Sequence, residues 1–327
     1  MNQRSRHLLA YAVTMLALIF WQLIFAYAPA VNRLSDYHSD ILYSVISQVV
    51  CMGVVPFVTL LLLSKKKPKE MLRPMRYKKP RDIKSCVLIS LGLMILITPF
   101  TMAWNALTQL LFTIFGYKRS HPLGVPYLGI GGFFVMLLIT AVLPAVFEEW
   151  THRGVLLSGL EYRGSERSAV LLSALLFGLM HENPAQMLYA TAGGIVFAYV
   201  VLKTDSIFPA MCAHFANNAI SVTLDYCRQR QNALGVWYDS LNDGSVLSVA
   251  LTFVALAVAL YGVVKLMQYA ARKAPKPISE YKLFGLFTVD VYNPEGKATI
   301  KDNAFLYAVI AMESAVLVFL FFWGVFK

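Results

Sequence analysis

Long apolar stretches recur along the chain, and they limit what it can fold into more than any other feature. The first two occupy residues 8–28 and 41–63. A helix gains about 1.5 Å per residue, so about 20 apolar residues cross the hydrocarbon core of a bilayer. Hydrophobic residues make up 58% of the sequence and charged residues 14%, whereas soluble domains have about 45–50% and about 25%. The sequence therefore predicts an all-α polytopic transmembrane helical bundle.

The bundle is expected to have about eight or nine spans separated by polar segments. After the first two, the predicted spans lie at 85–113, 133–160, 169–183, 185–202, 207–226, 246–269 and 304–326. In the sixth span, Gly193 and Gly194 permit close helix packing. The soluble stretch before the last span contains FTVDVY, NPEG and KATI, which predict strand, turn and strand.

The distribution of positive charge predicts the orientation of the chain. The net charge is +11, and residues 64–84 contain ten Lys or Arg residues. Basic residues collect in cytoplasmic loops, so this loop and the N-terminus are expected on the cytoplasmic side. The apolar residues of the loop, Met71, Leu72, Met75 and Tyr77, fit a membrane-surface segment or a solvated loop equally well. In a membrane protein, an excess of Lys and Arg residues reflects the orientation of the chain, so no nucleic-acid partner is expected.

The cysteines do not form a recognisable framework. Cys51, Cys86, Cys212 and Cys227 show no C-x-x-C spacing and mostly lie in apolar runs. We expect them to be small core residues, with neither a disulfide pattern nor a zinc cluster.

A group of polar and ionisable residues interrupts the central spans. It comprises Glu148, Glu149, His152, Arg153, His181, His214, Asn217 and Asn218. An ionisable side chain within a span is costly, so each is a candidate functional residue. Counted from the nearest polar turns, Glu148 and His181 lie 12 residues deep and His214 lies 8 residues deep. These counts correspond to about 18 Å and about 12 Å of helix, so the three side chains are expected in one layer.

Helical spacing assigns partners within this group. Glu149 and Arg153 are four residues apart with the acid first, which predicts an ion pair. Glu148 then points elsewhere and remains available for chemistry. His214 and Asn218 share a face of their helix by the same spacing. Pro144 removes a backbone hydrogen bond one turn before Glu148 and is expected to open the helix to water.

The combination favours activation of water. A glutamate with two histidines at one depth can deprotonate a water molecule, and His214 with Asn218 can donate hydrogen bonds to a developing oxyanion. Each histidine taken alone also fits a hydrogen-bonded core residue. His152 is expected to line the site or face solvent. His181-Glu182 does not begin a zinc-protease H-E-x-x-H motif, because residue 185 is Ala.

Three motifs in order resemble the CPBP family of intramembrane proteases, which includes CAAX prenyl endopeptidases and bacteriocin-processing proteins and is also called Abi. The family signature is E-E-x-x-x-R, F-x-x-x-H and H-x-x-x-N or D. Here these motifs are Glu148-Glu149 with Arg153, Phe177 with His181, and His214 with Asn218. The resemblance covers roughly residues 130–225. Thr151 and His152 depart from the residues that often precede the arginine in the family.

The resemblance implies an all-helical membrane core that hydrolyses peptide bonds. It also implies that Glu148 and His181 activate water while His214 and Asn218 stabilise the oxyanion. The expected partners are a peptide or membrane-protein substrate and the lipid bilayer, and the expected location is a bacterial cell membrane. No cofactor is certain. Zinc on Glu148, His181 and His214 is one alternative, and a metal-free glutamate mechanism, which Asn218 favours, is the other.

Two functions from other classes compete with a protease. A non-catalytic protein for bacteriocin immunity or scaffolding would not need all four candidate catalytic residues. A transporter could use the same charges for protons, but the sequence shows no internal repeat. If the site is catalytic, the turns that flank it predict an opening towards the cytoplasmic side.

These expectations divide the chain into five parts. They are N-terminal transmembrane helices with the basic loop 64–84 (1–128), the catalytic transmembrane core (129–226), an outer loop with a transmembrane helix (227–270), a cytoplasmic soluble loop with a β-hairpin (271–303), and the C-terminal transmembrane helix (304–327).

Overall fold

The chain is described by a computed structural model. It describes residues 3–28, 34–64, 67–78, 127–161, 166–240, 280–283, 287–290 and 300–326, with scattered single positions between 80 and 114 and between 250 and 265. The predicted third span, 85–113, lies almost entirely outside these residues. The predicted eighth span, 246–269, is described only in part, at positions that are helical.

Helices account for nearly all of the described chain. They are α1 (Gln3–Tyr27), α2 (Asp36–Val45, the π-helical stretch Ile46–Val54 and Val55–Ser64, in one continuous helix), α3 (Pro68–Leu72), α4 (Gly129–Glu161), α5 (Glu166–Leu179), α6 (Pro184–Thr204), α7 (Phe208–Gln229), α8 (Ala233–Ser240) and α9 (Ile300–Phe326). Within α4, the stretches Leu138–Val142 and Trp150–Leu156 are π-helical.

Several helices have the dimensions of membrane spans. In the described residues, α1, α2, α4 and Gln186–Thr204 of α6 are long and apolar enough to cross a bilayer, and shorter apolar helices occur at Ser168–Leu179 and Leu306–Phe319. The prediction of an all-α polytopic helical protein is therefore confirmed. The expected number of eight or nine spans remains a prediction, because four helices meet the criteria here.

Glycine allows α5 and α6 to pack closely as an antiparallel pair. A Cβ atom on Gly194 would lie 2.9 Å from the Cα atom of Ala174 on α5, closer than packed atoms approach. The adjacent Gly193 has open space around it. Of the two glycines predicted to permit packing, only Gly194 therefore requires the absence of a side chain.

The basic loop packs against the helical core, which corrects the expectation of a membrane-surface or solvated segment. Met71 and Met75 are buried in the main hydrophobic cluster. Met75 approaches the backbone of α4, where a Cβ atom on Gly154 would lie 3.7 Å from Met75 Cβ. The loop therefore contributes apolar side chains to the core, at a contact with α4.

Ion pairs join the basic loop to two polar turns. Arg76 donates from Nη1 and Nη2 to the two carboxylate oxygens of Glu161, each at 2.7 Å. Its Nε atom lies 3.2 Å from Asp205 Oδ1, and Lys78 also pairs with Asp205. Arg6 of α1 donates to the carbonyl of Ser64 at 3.4 Å. The N-terminus, the basic loop and the turns at 161 and 205 therefore lie at one face of the bundle, which we call the basic face.

A short hairpin precedes α9. Strands β1 (Glu280–Leu283) and β2 (Phe287–Asp290) are antiparallel, and Leu283 pairs with Phe287. FTVD therefore pairs with the preceding EYKL, while NPEG and most of the predicted second strand KATI lie outside the described residues. Ile300, the last residue of KATI, begins α9.

The cysteines were predicted to be small core residues. Cys51 and Cys227 are buried free thiols, as predicted, whereas Cys212 is exposed. Cys86 lies outside the described residues.

We expect the basic face to be cytoplasmic, because clustered Lys and Arg residues are retained on that side. In a functional cysteine-free background, Lys67→Cys and Ser240→Cys would place exposed thiols at opposite faces. A membrane-impermeant maleimide should label position 240 in intact cells and position 67 only after permeabilisation. The reverse pattern would invert the topology.

Candidate active site

Pro144 shapes the helix that carries the two glutamates. It lies in the first turn of Leu143–Glu149, directly after the π-helical stretch Leu138–Val142. A proline has no backbone N–H, so it cannot donate to the carbonyl of Thr140 four residues earlier. Asn218 of α7 instead donates to that carbonyl from Nδ2 at 3.0 Å. The irregularity predicted at Pro144 therefore provides an attachment point for α7.

Glu149 and Arg153 form the ion pair that their spacing predicted. Arg153 Nη1 lies 2.8 Å from Glu149 Oε1, and both side chains are completely buried. Arg153 Nη2 donates to the carbonyl of Gly194 on α6 at 3.2 Å. The guanidinium carbon also lies 4.2 Å from the ring centre of Phe177 and 5.3 Å from that of Phe197, within the range of cation–π attraction. Arg153 thus holds α4, α5 and α6 together.

His214 joins α7 to the same carboxylate. Its Nδ1 atom lies 2.9 Å from Glu149 Oε1, and this nitrogen carries the hydrogen because an ionised carboxylate only accepts. The imidazole stacks on Phe197, with 5.6 Å between ring centres. Its Nε2 atom faces the second glutamate, 3.9 Å from Glu148 Oε2. Glu149 therefore orients His214 towards Glu148, a role beyond the predicted pairing with Arg153.

Glu148 has one engaged and one free carboxylate oxygen. Oε1 accepts a hydrogen bond from Gln48 Nε2 at 2.8 Å. Oε2 is buried and has no protein hydrogen-bond partner. A buried carboxylate oxygen without a donor is costly. The side chain therefore presents an acceptor that a water or substrate hydrogen would satisfy.

His181 lies at the turn between α5 and α6. Its Nδ1 atom is 2.7 Å from the carbonyl of Phe177, so Nδ1 carries the hydrogen and Nε2 has a free lone pair. The next residue, Glu182, has a φ of 50°, a left-handed conformation that reverses the chain before Pro184 begins α6. The ring of Phe177 makes edge contacts with His152, His181 and His214, at centroid distances of 5.1, 4.9 and 5.8 Å.

His152 is a buried residue beside Phe177, so of the two expected positions, lining the site or facing solvent, the second is wrong. Its side chain is completely buried. Nδ1 lies 3.0 Å from the carbonyl of Glu148, and Nε2 lies 3.3 Å from the hydroxyl of Tyr11 on α1. Both ring nitrogens are thereby engaged. The π-helical turn Trp150–Leu156 directs this residue towards α1, a change of face that helical spacing alone does not reveal.

Asn217 and Asn218 contact each other, as Asn217 Nδ2 donates to Asn218 Oδ1 at 3.1 Å. With one amide hydrogen on Thr140, Asn218 retains its second hydrogen for another acceptor. The site therefore gathers Glu148, Glu149, Arg153 and His214 by direct contact and His181 through Phe177. Asn218 lies one helical turn beyond His214 and is fixed by α4.

The candidate zinc ligands do not form a metal-binding arrangement. Among the described residues, no group of three His, Cys, Asp or Glu side chains is placed to hold a metal ion. In His214, Nδ1 is engaged by Glu149, and Nε2 lies 3.9 Å from Glu148. The donor set Glu148, His181 and His214 therefore does not fit zinc in this conformation.

The surroundings of α4 differ along its length. Every residue from 151 to 161 is buried, whereas Ile130, Phe134 and Leu138 are exposed. The buried half leads to the basic face, where Arg76 pairs with Glu161. The predicted opening of the site towards the cytoplasmic side stays a prediction.

Sequence reasoning missed Gln48, Phe197 and Tyr11. A signal existed for Gln48, since it is an amide within the apolar run SVISQVVCMGVV. Phe197 and Tyr11 resemble ordinary core aromatics in sequence. Only the packing of α6 and α1 against the site distinguishes them.

The fold and site define a helical membrane protein with a polar, carboxylate-centred site among its spans. Residues 130–220 match the family described as "Type II CAAX prenyl endopeptidase Rce1-like". The chain is also 28% identical over 217 residues to "Putative membrane peptidase YdiL" of Bacillus subtilis (strain 168), covering 64% of this chain and 82% of that protein. No solved structure gives a significant match.

Over these residues the chain is similar to the CPBP family, in agreement with the three motifs. The two matches support a membrane protease in general. The matched segment contains Glu148, Glu149, Arg153, Phe177, His181, His214 and Asn218.

We expect Arg153→Ala to destabilise the protein strongly, because it leaves the buried Glu149 carboxylate without its main counter-charge. Loss of one partner of a buried pair costs about 3–5 kcal/mol. Thermal unfolding in detergent measures the loss. The double variant Glu149→Gln/Arg153→Ala should recover part of it, because no buried charge is stranded. A stable but inactive Arg153→Ala protein would instead assign the arginine to substrate binding.

Proposed function

We propose that the protein is an intramembrane endopeptidase that hydrolyses a peptide bond of a peptide or membrane-associated protein. The observation that carries the proposal is the free, buried Oε2 atom of Glu148, which faces Nε2 of His214 at 3.9 Å. A general base needs an acceptor within reach of the hydrogen that it removes. A scaffolding or immunity protein would have no need of Glu148, His181, His214 and Asn218 together.

In the proposed reaction, Glu148 removes a proton from a water molecule, with His181 accepting a second hydrogen bond from the same water at its free Nε2. The water oxygen bonds to the carbonyl carbon of the scissile peptide, and the carbonyl oxygen becomes an oxyanion. Glu148 then returns the proton to the amide nitrogen as the carbon–nitrogen bond breaks. The products are a carboxylic acid and an amine, which together contain every atom of the water.

His214 and Asn218 are the proposed donors to the oxyanion. Asn218 has one amide hydrogen beyond its bond to Thr140. His214 donates to Glu149 through Nδ1, so it must be protonated on both nitrogens to donate to the oxyanion as well. Donors fixed before the reaction stabilise the developing charge with little reorganisation. The bonds to Glu149 and Thr140 would provide that fixation.

The proposed substrate is a peptide segment presented at the membrane. The matching family is described by prenyl endopeptidase activity, so a prenylated C-terminal tail is one form that such a segment could take. The proposed location is a bacterial cell membrane, with the N-terminus in the cytoplasm. Substrates with and without a prenyl group therefore belong in the same assay.

Glu148→Gln should lower kcat for peptide cleavage by about 10²–10⁴-fold, since loss of a general base typically costs that much. Cleavage of quenched peptides, with and without a farnesylated cysteine, would be measured in proteoliposomes. His181→Ala should behave in the same way, with both proteins keeping their unfolding temperature. Glu313→Gln is a matched control, because Glu313 is also a buried carboxylate but lies on α9. Full activity of purified Glu148→Gln would refute the mechanism.

We also propose that the reaction is independent of metal, because the described ligands do not gather as a metal set. Activity should persist after prolonged treatment with EDTA and 1,10-phenanthroline and dialysis into metal-free buffer. Metal content is measured on the same sample by mass spectrometry. Inactivation that added zinc reverses would contradict this part of the proposal.

A further inference from the structure

Gln48 of α2 lies outside the three motifs and outside the matched segment 130–220, yet it contacts the proposed base. Its Nε2 atom donates to Glu148 Oε1 at 2.8 Å. This is the hydrogen bond that distinguishes the two carboxylate oxygens, because Oε2 has none. With Oε1 engaged by Gln48, Oε2 is the oxygen without a donor, and it is the one that faces His214.

The other amide atom of Gln48 is open to a further partner. Gln48 Oε1 is buried and has no protein hydrogen-bond partner. Because a buried unpaired oxygen is costly, a donor such as a water would satisfy it.

Helices α2 and α4 pack closely near Gln48, which places its side chain next to Glu148. Gly53 packs directly against the Phe147 ring, since a Cβ atom there would lie 2.7 Å from that ring. Thr151 donates to the carbonyl of Met52 at 2.7 Å. Gln48 lies in the π-helical stretch Ile46–Val54, and π-helical turns occur frequently at functional sites. The two contacts fix the two helices at the level of Glu148.

We propose that Gln48 is a positioning residue that acts through Glu148. Its amide holds Oε1 and thereby fixes Oε2 as the atom that receives the proton from water. The inference rests on the proposed peptidase function and deepens it. It predicts that Gln48 affects the chemical step and not the affinity for substrate.

The experiment is a double-mutant cycle of Gln48→Met and Glu148→Gln in proteoliposomes, with the same quenched peptides. Methionine keeps the length of the side chain and removes the amide. Gln48→Met should lower kcat by up to about 10²-fold, the cost of misplacing a catalytic group by about 1 Å, with KM within about twofold. In the Glu148→Gln background, it should cause no further loss, because its effect passes through the carboxylate.

A matched control is Gln22→Met on α1. Gln22 donates to the hydroxyl of Tyr43 at 3.3 Å, so its replacement should leave kcat unchanged. Gln48→Glu is a second variant of similar size in case methionine prevents folding, and thermal unfolding is measured for each protein. It should also lower kcat, because a carboxylate cannot donate to Glu148.

Each outcome distinguishes the two proposals. Normal kcat in Gln48→Met or Gln48→Glu, an effect on KM alone, or an equal loss in both backgrounds would overturn the positioning role. If Glu148→Gln itself keeps full activity, the proposed function fails and this inference fails with it. Loss in Glu148→Gln with normal Gln48 variants would overturn only the inference.

Discussion

The fold depends on how a completely buried arginine is compensated. Burial of a charge is costly unless it is paired and hydrogen-bonded. Arg153 has a carboxylate at 2.8 Å, a carbonyl at 3.2 Å and two aromatic faces. These groups belong to α4, α5 and α6, and the carboxylate also binds His214 of α7. The arrangement of four helices around the site therefore follows from the needs of one guanidinium.

Local periodicity made the centre of the site predictable. The pair Glu149–Arg153 follows from four-residue spacing in an apolar helix, where few other partners exist. The common depth of Glu148 and His214 follows from counting helical rise, and their contact at 3.9 Å agrees with it. Each inference uses the geometry of a single helix, and the second also assumes that the helices cross the same membrane.

Contacts that depend on two helices, or on a change of helical geometry, were not predictable. His152 reaches Tyr11 because the π-helical turn alters its direction, and no spacing rule signals that turn. Gln48 meets Glu148 across two helices that pack closely at Gly53 and Phe147. Met75 enters the core because its loop folds back onto Gly154. In each case, the polar or apolar character of the residue was visible, but its partner was not.

The ion pairs of Arg76 have a consequence for how the chain assembles during synthesis. Arg76 is separated from Glu161 by 85 residues, and Lys78 is separated from Asp205 by 127 residues. The basic loop leaves the ribosome long before its acidic partners, and several spans must insert in between. Closure of this face therefore comes late in biogenesis. Until then, the loop is an unpaired cationic segment that anionic lipid headgroups can hold at the membrane surface.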